Sequence, residues 1–306
     1  MSANLLPDDI RVFERGWLSS NNILLLSPDS GALVDSGYIT HAPQTLALVE
    51  SGLVDRPLKL LVNTHLHSDH CGGNAAIQAH YPTLSTLIPP GQAEDVRHWN
   101  ADALTYTPTG QSCPPFQYSD TLRSGQTLRL GMRDWMVHAA PGHDPHSVIL
   151  FQPELRLLIS ADALWQNGFG VVFPEIEGIA AFDEVAATLD LIESLRPRLV
   201  IPGHGAPFQE VEAALETARR RLAQFRADPQ RHARHAAKVL LKFKLLELQR
   251  VSRDDFQAWI AQTSHLTLLH RAHFATTGFS LWCEELLQDL VRAGAARIES
   301  PFLLNQ

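Results

Sequence analysis

Apolar positions along the chain follow two regimes. Up to about residue 215, short apolar runs alternate with stretches of helical period; beyond it the helical period dominates. NNILLLS (21–27) and GALVDSG (31–37) read as neighbouring strands joined by a Pro-Asp-Ser-Gly turn at Pro28–Gly31. Residues 40–52 show helical spacing, and LKLLVNT (58–64) is a β-rich run. NAAIQAHY (74–81) returns to helix and TLSTLIP (83–89) to strand. A second batch follows, with TLRLG (127–131), DWMVHAA (134–140), SVILFQ (147–152) and LRLLIS (155–160) spaced as hairpins. After a helix over 182–195, RLVIPGH (198–204) closes the set. Two successive batches of strands mixed with helices predict an α/β fold: two sheets packed on each other with helices outside, an αββα sandwich.

The tail is of another kind. Candidate helices fall at 209–226, 231–249, 254–262, 266–273 and 280–293, with Ser252 and Asp255 resembling a capping box and Gly294 at a C-cap position. ARIES (296–300) reads as one short strand or wing. The expected organisation is a main domain over 1–208, a linker helix region over 209–230 and a helical module over 231–306.

Composition leaves this picture intact. A chain of 306 residues, 45% hydrophobic and 19% charged, suits one large domain or two smaller ones. No basic segment followed by an apolar one opens the sequence, and no run approaches the length of a membrane span, so a soluble cytoplasmic protein is expected. Cys71, Cys113 and Cys283 are too few and too scattered for a disulfide framework, which suits a reducing compartment. Charge adds one feature. The net −8 conceals a segment from Arg219 to Arg250 with ten Lys/Arg against Asp228 and Glu247. That segment reads either as a solvated helix face or as a contact for an anionic partner, such as RNA or the phosphates of a coenzyme A-like thiol.

Chemistry concentrates in NTHLHSDHCGGN (63–74), where His65, His67, Asp69 and His70 follow directly on an apolar strand. Imidazole and carboxylate suit zinc, iron, manganese or cobalt, and the lack of a CxxC pair argues against a structural thiolate zinc. His65 and His67, two apart at a strand end, project to one side. Asp69 and His70 can then point at a second ion, and Gly72-Gly73 lets backbone pass close to the ions. The cluster cannot complete two sites alone. His143 in APGHDPHS, Asp162 in LLISADALW and His204 in LVIPGHGAP each lie at the C-terminal edge of an apolar run.

Together these residues resemble the HxHxDH motif and the later motifs of the metallo-β-lactamase-fold superfamily, with VDSG (34–37) resembling its strand-end aspartate motif. The resemblance covers roughly residues 10–210. It implies that His65, His67 and His143 hold one metal, that Asp69, His70 and His204 hold another, and that Asp162 bridges them. The implied cofactors are two divalent ions, zinc first, with iron or manganese as alternatives. The implied chemistry is a metal-bridged hydroxide attacking a thioester, ester or lactone, with Asp69 orienting the nucleophile and relaying a proton.

Substrate contacts are expected from Trp165, Phe169 and Phe173 in the aromatic stretch after Asp162. His146 reads either as a substrate contact or as an exposed turn histidine, and Cys71 as packing. The DHxGGN extension also resembles glyoxalase II, but the C-terminal basic pattern that holds glutathione there has no counterpart. The tail loosely resembles the winged-helix-like module of certain endoribonucleases of the superfamily, which makes RNA cleavage a rival. A persulfide dioxygenase, using one iron on two histidines and an aspartate, is a second. The expected partner is a small molecule, with nucleic acid less favoured because the acidic remainder of the chain carries no aromatic-interleaved basic stripe. The sequence leaves the oligomeric state open.

Overall fold

Continuous apolar strands such as NILLL need cover on both faces, and the architecture supplies it. The computed structural model describes residues 5–306. The first sheet comprises β1 (Ile10–Phe13), β2 (Asn22–Leu26), β3 (Gly31–Val34), β4 (Leu58–Val62), β5 (Ser85–Ile88) and β6 (Asp120–Thr121), adjacent in chain order. Pairing is antiparallel up to β3 and parallel from β3 to β6. The second sheet comprises β7 (Thr127–Leu130), β8 (Arg133–Ala139), β9 (Val148–Gln152), β10 (Leu157–Ala161) and β11 (Leu199–Pro202), in the order β11-β10-β9-β8-β7. Its one parallel pair is β10–β11.

Alternation divides each strand between two cores. Ile23, Leu25, Val34 and Val62 meet Val137, Leu150, Ile159 and Ile201 between the sheets. Their neighbours Leu24, Leu26, Leu33 and Leu61 face outward onto Val49, Leu53 and Ile77 of the helices Ala42–Leu53 and Asn74–His80. On the other side Ile149, Phe151, Leu158 and Val200 are covered by the helices Phe182–Leu195 and Val211–Ala227. The result is the four-layer αββα sandwich. The stretch 209–230, expected as a linker, contains Val211–Ala227, which buries Ala214, Leu215, Ala218, Leu222 and Phe225 in this outer core. It is therefore a structural layer of the sandwich.

The tail combines four helices with a small sheet. Pro229–Leu248 starts with Pro229 at its first position and the Asp228 side chain accepting from the Arg231 amide at 3.2 Å. The Ser252 hydroxyl accepts from the Asp255 amide at 3.0 Å, the expected cap of the helix Arg253–Gln262. Ser264–His273 and Phe279–Arg292 follow, and Gly294 takes φ +69° just beyond. Three strands, β12 (Arg250–Ser252), β13 (Ala296–Glu299) and β14 (Phe302–Asn305), pair in the order β12-β14-β13. ARIES thus supplies one strand of a hairpin, and β14, paired on both sides, has no alternation to betray it.

This module packs against the loop that follows β10. Val171 and Ile176 from that loop join Leu240, Leu241, Phe256, Leu286 and Trp282 in one apolar cluster. Trp282, packed against Phe274 and Phe279, is its largest fully buried side chain. Trp282→Ala is expected to destabilise the fold by about 3–5 kcal/mol, the usual cost of a large core truncation, as read by urea denaturation.

Candidate metal centre

Strand ends build the site. The segment leaving β4 carries His65, His67, Asp69 and His70; Asp162 follows β10, His204 follows β11, and His143 lies four residues beyond β8. A short helix, Ser68–Cys71, turns the first segment so that Asp69 and His70 face across from His65 and His67. Gly72 and Gly73 are required, but not for the expected reason. A Cβ there would collide with the backbone of Ser68 and Ser36, so the close approach is to the turn after β3. Two glycines do lie beside the site: an added Cβ would strike Asp162 Oδ1 at Gly203 and His143 Nδ1 at Gly170.

Ligating atoms converge in two groups, His65/His67/His143 and Asp69/His70/Asp162/His204, each within 4.8 Å. In the first, His143 Nε2 lies 2.8 Å from His67 Nδ1 and 3.3 Å from His65 Nε2. In the second, His204 Nε2 lies 3.1 Å from Asp69 Oδ2. Asp162 reaches both groups: Oδ2 is 3.4 Å from His143 Nε2, while Oδ1 is 3.4 Å from His70 Nε2 and 3.8 Å from His204 Nε2.

Further groups fix which nitrogen points inward. His143 Nδ1 donates to the Val171 carbonyl at 2.5 Å, leaving its Nε2 as a lone pair. Asp35, on the turn after β3 at φ +57°, accepts from His70 Nδ1 at 2.8 Å and from the amide and hydroxyl of Thr64 at 2.9 and 2.7 Å. His70 Nε2 is then a fully buried lone pair with no hydrogen-bond partner among the described residues. Such an orphan, facing two carboxylates and ringed by imidazole nitrogens, fits a cation.

Ionisation states agree with that fit. Burial, aided by His70, His67 and His143, holds His65 well below the usual imidazole range. Burial and His143 push His67 down to about 4. Both are neutral at pH 7, the form that binds metal. Burial opposes ionisation of Asp162, yet His70 and His204 outweigh it and hold its carboxyl well below the ordinary value. His70 differs: Asp162, Asp35 and Asp69 raise it against its own burial, so a metal ion at Nε2 would take the place of a proton that these carboxylates favour there.

A cavity of about 390 Å3 opens onto both groups, lined by Trp17, Trp165, Val171, Phe173, Val239, Leu240 and Phe243. Trp165 Nε1 donates to Asp162 Oδ1 at 3.2 Å, and the Phe173 ring lies 4.6 Å from that of His67. Two expected contacts fall elsewhere. Phe169, between Gly168 and Gly170, is buried in the outer core against Phe225 and does not line the cavity. His146 packs against Gly91 outside it. Cys71 is buried, 3.2 Å from the Tyr106 hydroxyl and 3.8 Å from Cys113. Unforeseen are Trp17, stacked on His204 at 5.3 Å, and Arg221 and His235, which reach the cavity from the helices Val211–Ala227 and Pro229–Leu248.

The chain belongs to the metallo-beta-lactamase superfamily, whose family model matches residues 15–204. A metallo-beta-lactamase family protein from Thermus thermophilus superposes with a TM-score of 0.59 at 19% identity, over 99% of this chain and 100% of that one. Curated relatives are named for hydrolytic activities. A linear primary-alkylsulfatase from a Pseudomonas species is 24% identical over 65% of this chain and 44% of its own. An acyl-coenzyme A thioesterase from Gallus gallus is 27% identical over 50% of this chain and 58% of its own. The chain thus spans about half the length of these two relatives. No helix among the described residues is long and apolar enough to cross a membrane.

Proposed function

We propose that the protein is a binuclear metal-dependent hydrolase of thioesters, with esters and lactones as related substrates. The observation that carries the reading is Asp162, whose two oxygens each face one of the two donor groups. His65, His67 and His143 would hold one divalent ion, Asp69, His70 and His204 the other, with zinc the first choice for this nitrogen- and oxygen-rich set. When bound, such ions supply Lewis acidity and lower the pKa of a water. A mononuclear iron dioxygenase would leave Asp69 and His204 without a task.

The chain's own residues account for the rest. The apolar wall of Trp165, Phe173, Val239 and Leu240 excludes water from around the reacting carbonyl. Water oxygen adds to the carbonyl carbon, the carbon–sulfur bond breaks, and the thiol leaves with a proton. Asp69, 3.1 Å from His204 and ionised below the ordinary range, is the carboxylate placed to take that proton from water and pass it on. The thioesterase among the relatives favours the same bond. Asp69→Asn, near in shape but unable to accept the proton, is expected to lower kcat by about 100-fold. A metal-replete screen over thioesters, esters, lactones, phosphodiesters and RNA tests the reading, with Asp69→Ala as control. Turnover of RNA alone, or of nothing, would overturn it.

A further inference from the structure

The metal cavity has two annexes of opposite character, and they meet at His235. One, of about 320 Å3, runs between Trp17, Val239, Phe243, Leu246 and Leu290 and is chiefly apolar. The other, of about 460 Å3, is a groove between the helices Val211–Ala227 and Pro229–Leu248, lined by Arg220, Arg221, Arg231, Arg234 and Lys238. Arg221 and His235 line both this groove and the metal cavity.

Charge in the groove is only partly compensated. Arg234 pairs with Asp289 at 2.8 Å, and Lys238 lies 3.9 Å from the same carboxylate. Arg220, Arg221 and Arg231 have no carboxylate partner within 4 Å among the described residues. Arg221 is the telling one. Its guanidinium lies over Phe169 and Phe225 at 5.6 and 5.4 Å, and Nη2 donates to His235 Nε2 at 2.6 Å. Burial and Arg221 itself push His235 down to about 3, so this partner is neutral. The backbone accommodates the group: a side chain at Gly168, φ +127°, would collide with Arg221 Nη1. A desolvated cation without an anion is costly, and arginine forks match phosphate oxygens.

Resting on the thioesterase reading, we propose that the substrate is an acyl thioester whose thiol half carries phosphates, a nucleoside diphosphate-bearing carrier of the coenzyme A type. The acyl chain occupies the apolar annex, the carbonyl meets the metal cavity, and the phosphates lie on Arg220, Arg221 and Arg231. The apolar annex and the basic groove both border the metal cavity and adjoin at His235 and Lys238, so one molecule with an acyl arm and a phosphate arm can reach both. A nucleic acid offers nothing for the apolar one.

Binding of free coenzyme A and of pantetheine, which share the thiol end but differ in the phosphates, tests this by calorimetry on the metal-loaded full chain. Coenzyme A is expected to bind at least about tenfold tighter in low salt, with the preference shrinking in high salt. The surface variant Arg220→Glu/Arg231→Glu should remove most of that preference. Arg221→Gln should raise KM for an acyl-coenzyme A more than for the matching acyl-pantetheine, and Arg221→Lys should restore part of the difference. Equal affinity for the two thiols, a preference that survives charge reversal, or an RNA oligonucleotide that coenzyme A fails to displace would overturn the proposal. Selective coenzyme A binding without any thioester turnover would retain the groove and reject the hydrolase. Turnover without selectivity would do the reverse.

Discussion

Replacing Asp162 with alanine is expected to remove one metal ion per chain, or both, and to lower kcat/KM by about a thousandfold or more. The size follows from the position. Among the described residues its carboxylate is the one that faces both donor sets, with oxygens 3.4 Å from His143 Nε2 and from His70 Nε2. Its loss would remove the negative charge shared by the two proposed ions and open space beside the imidazoles of His70, His143 and His204. Several kcal/mol of transition-state stabilisation depends on correctly held ions, and each 1.36 kcal/mol is tenfold in rate. Equilibrium dialysis with metal analysis, alongside turnover of a thioester, reads both effects. A variant with two ions and normal turnover would show that Asp162 is a bystander.

Asp35→Ala is expected to act at one remove. Asp35 touches no candidate ion position; it holds His70 Nδ1 and both polar groups of Thr64. Without it the buried imidazole can rotate or change tautomer, so metal affinity should fall by about 10–100-fold. Stability should fall as well, by about 1–3 kcal/mol, because the Thr64 amide and His70 Nδ1 lose their buried acceptor. Metal titration and urea denaturation separate the two consequences. Unchanged affinity in a destabilised variant would reduce Asp35 to a purely structural role.

The candidate site was legible where chemistry and strand ends coincide. NTHLHSDH places four donor residues in six positions, and His143, Asp162 and His204 each follow an apolar run, so their convergence was readable from the sequence. The aromatic loop after Asp162 was not. It has no period, and two glycines around Phe169 let that ring turn inward to Phe225 while Trp165 and Phe173 stay at the cavity. Arg221 and His235 lie on helices whose basic residues look alike in sequence. Only the crossing of the two helices separates them from the solvated arginines beside them. The basic segment from Arg219 to Arg250 divides accordingly, since Arg219 pairs with Asp190 and Glu193 at the surface while Arg221 turns in. Short strands such as β1, β12 and β14 owe their existence to partners distant in sequence, which a local pattern does not reveal.

Anomalous diffraction from a metal-loaded crystal, collected at the absorption edge of the bound element, tests most directly whether seven residues from four strand ends hold two ions. Two peaks per chain are predicted, one among His65, His67 and His143 and the other among Asp69, His70 and His204, with Asp162 facing both. A single peak, or peaks away from these residues, would contradict a binuclear centre.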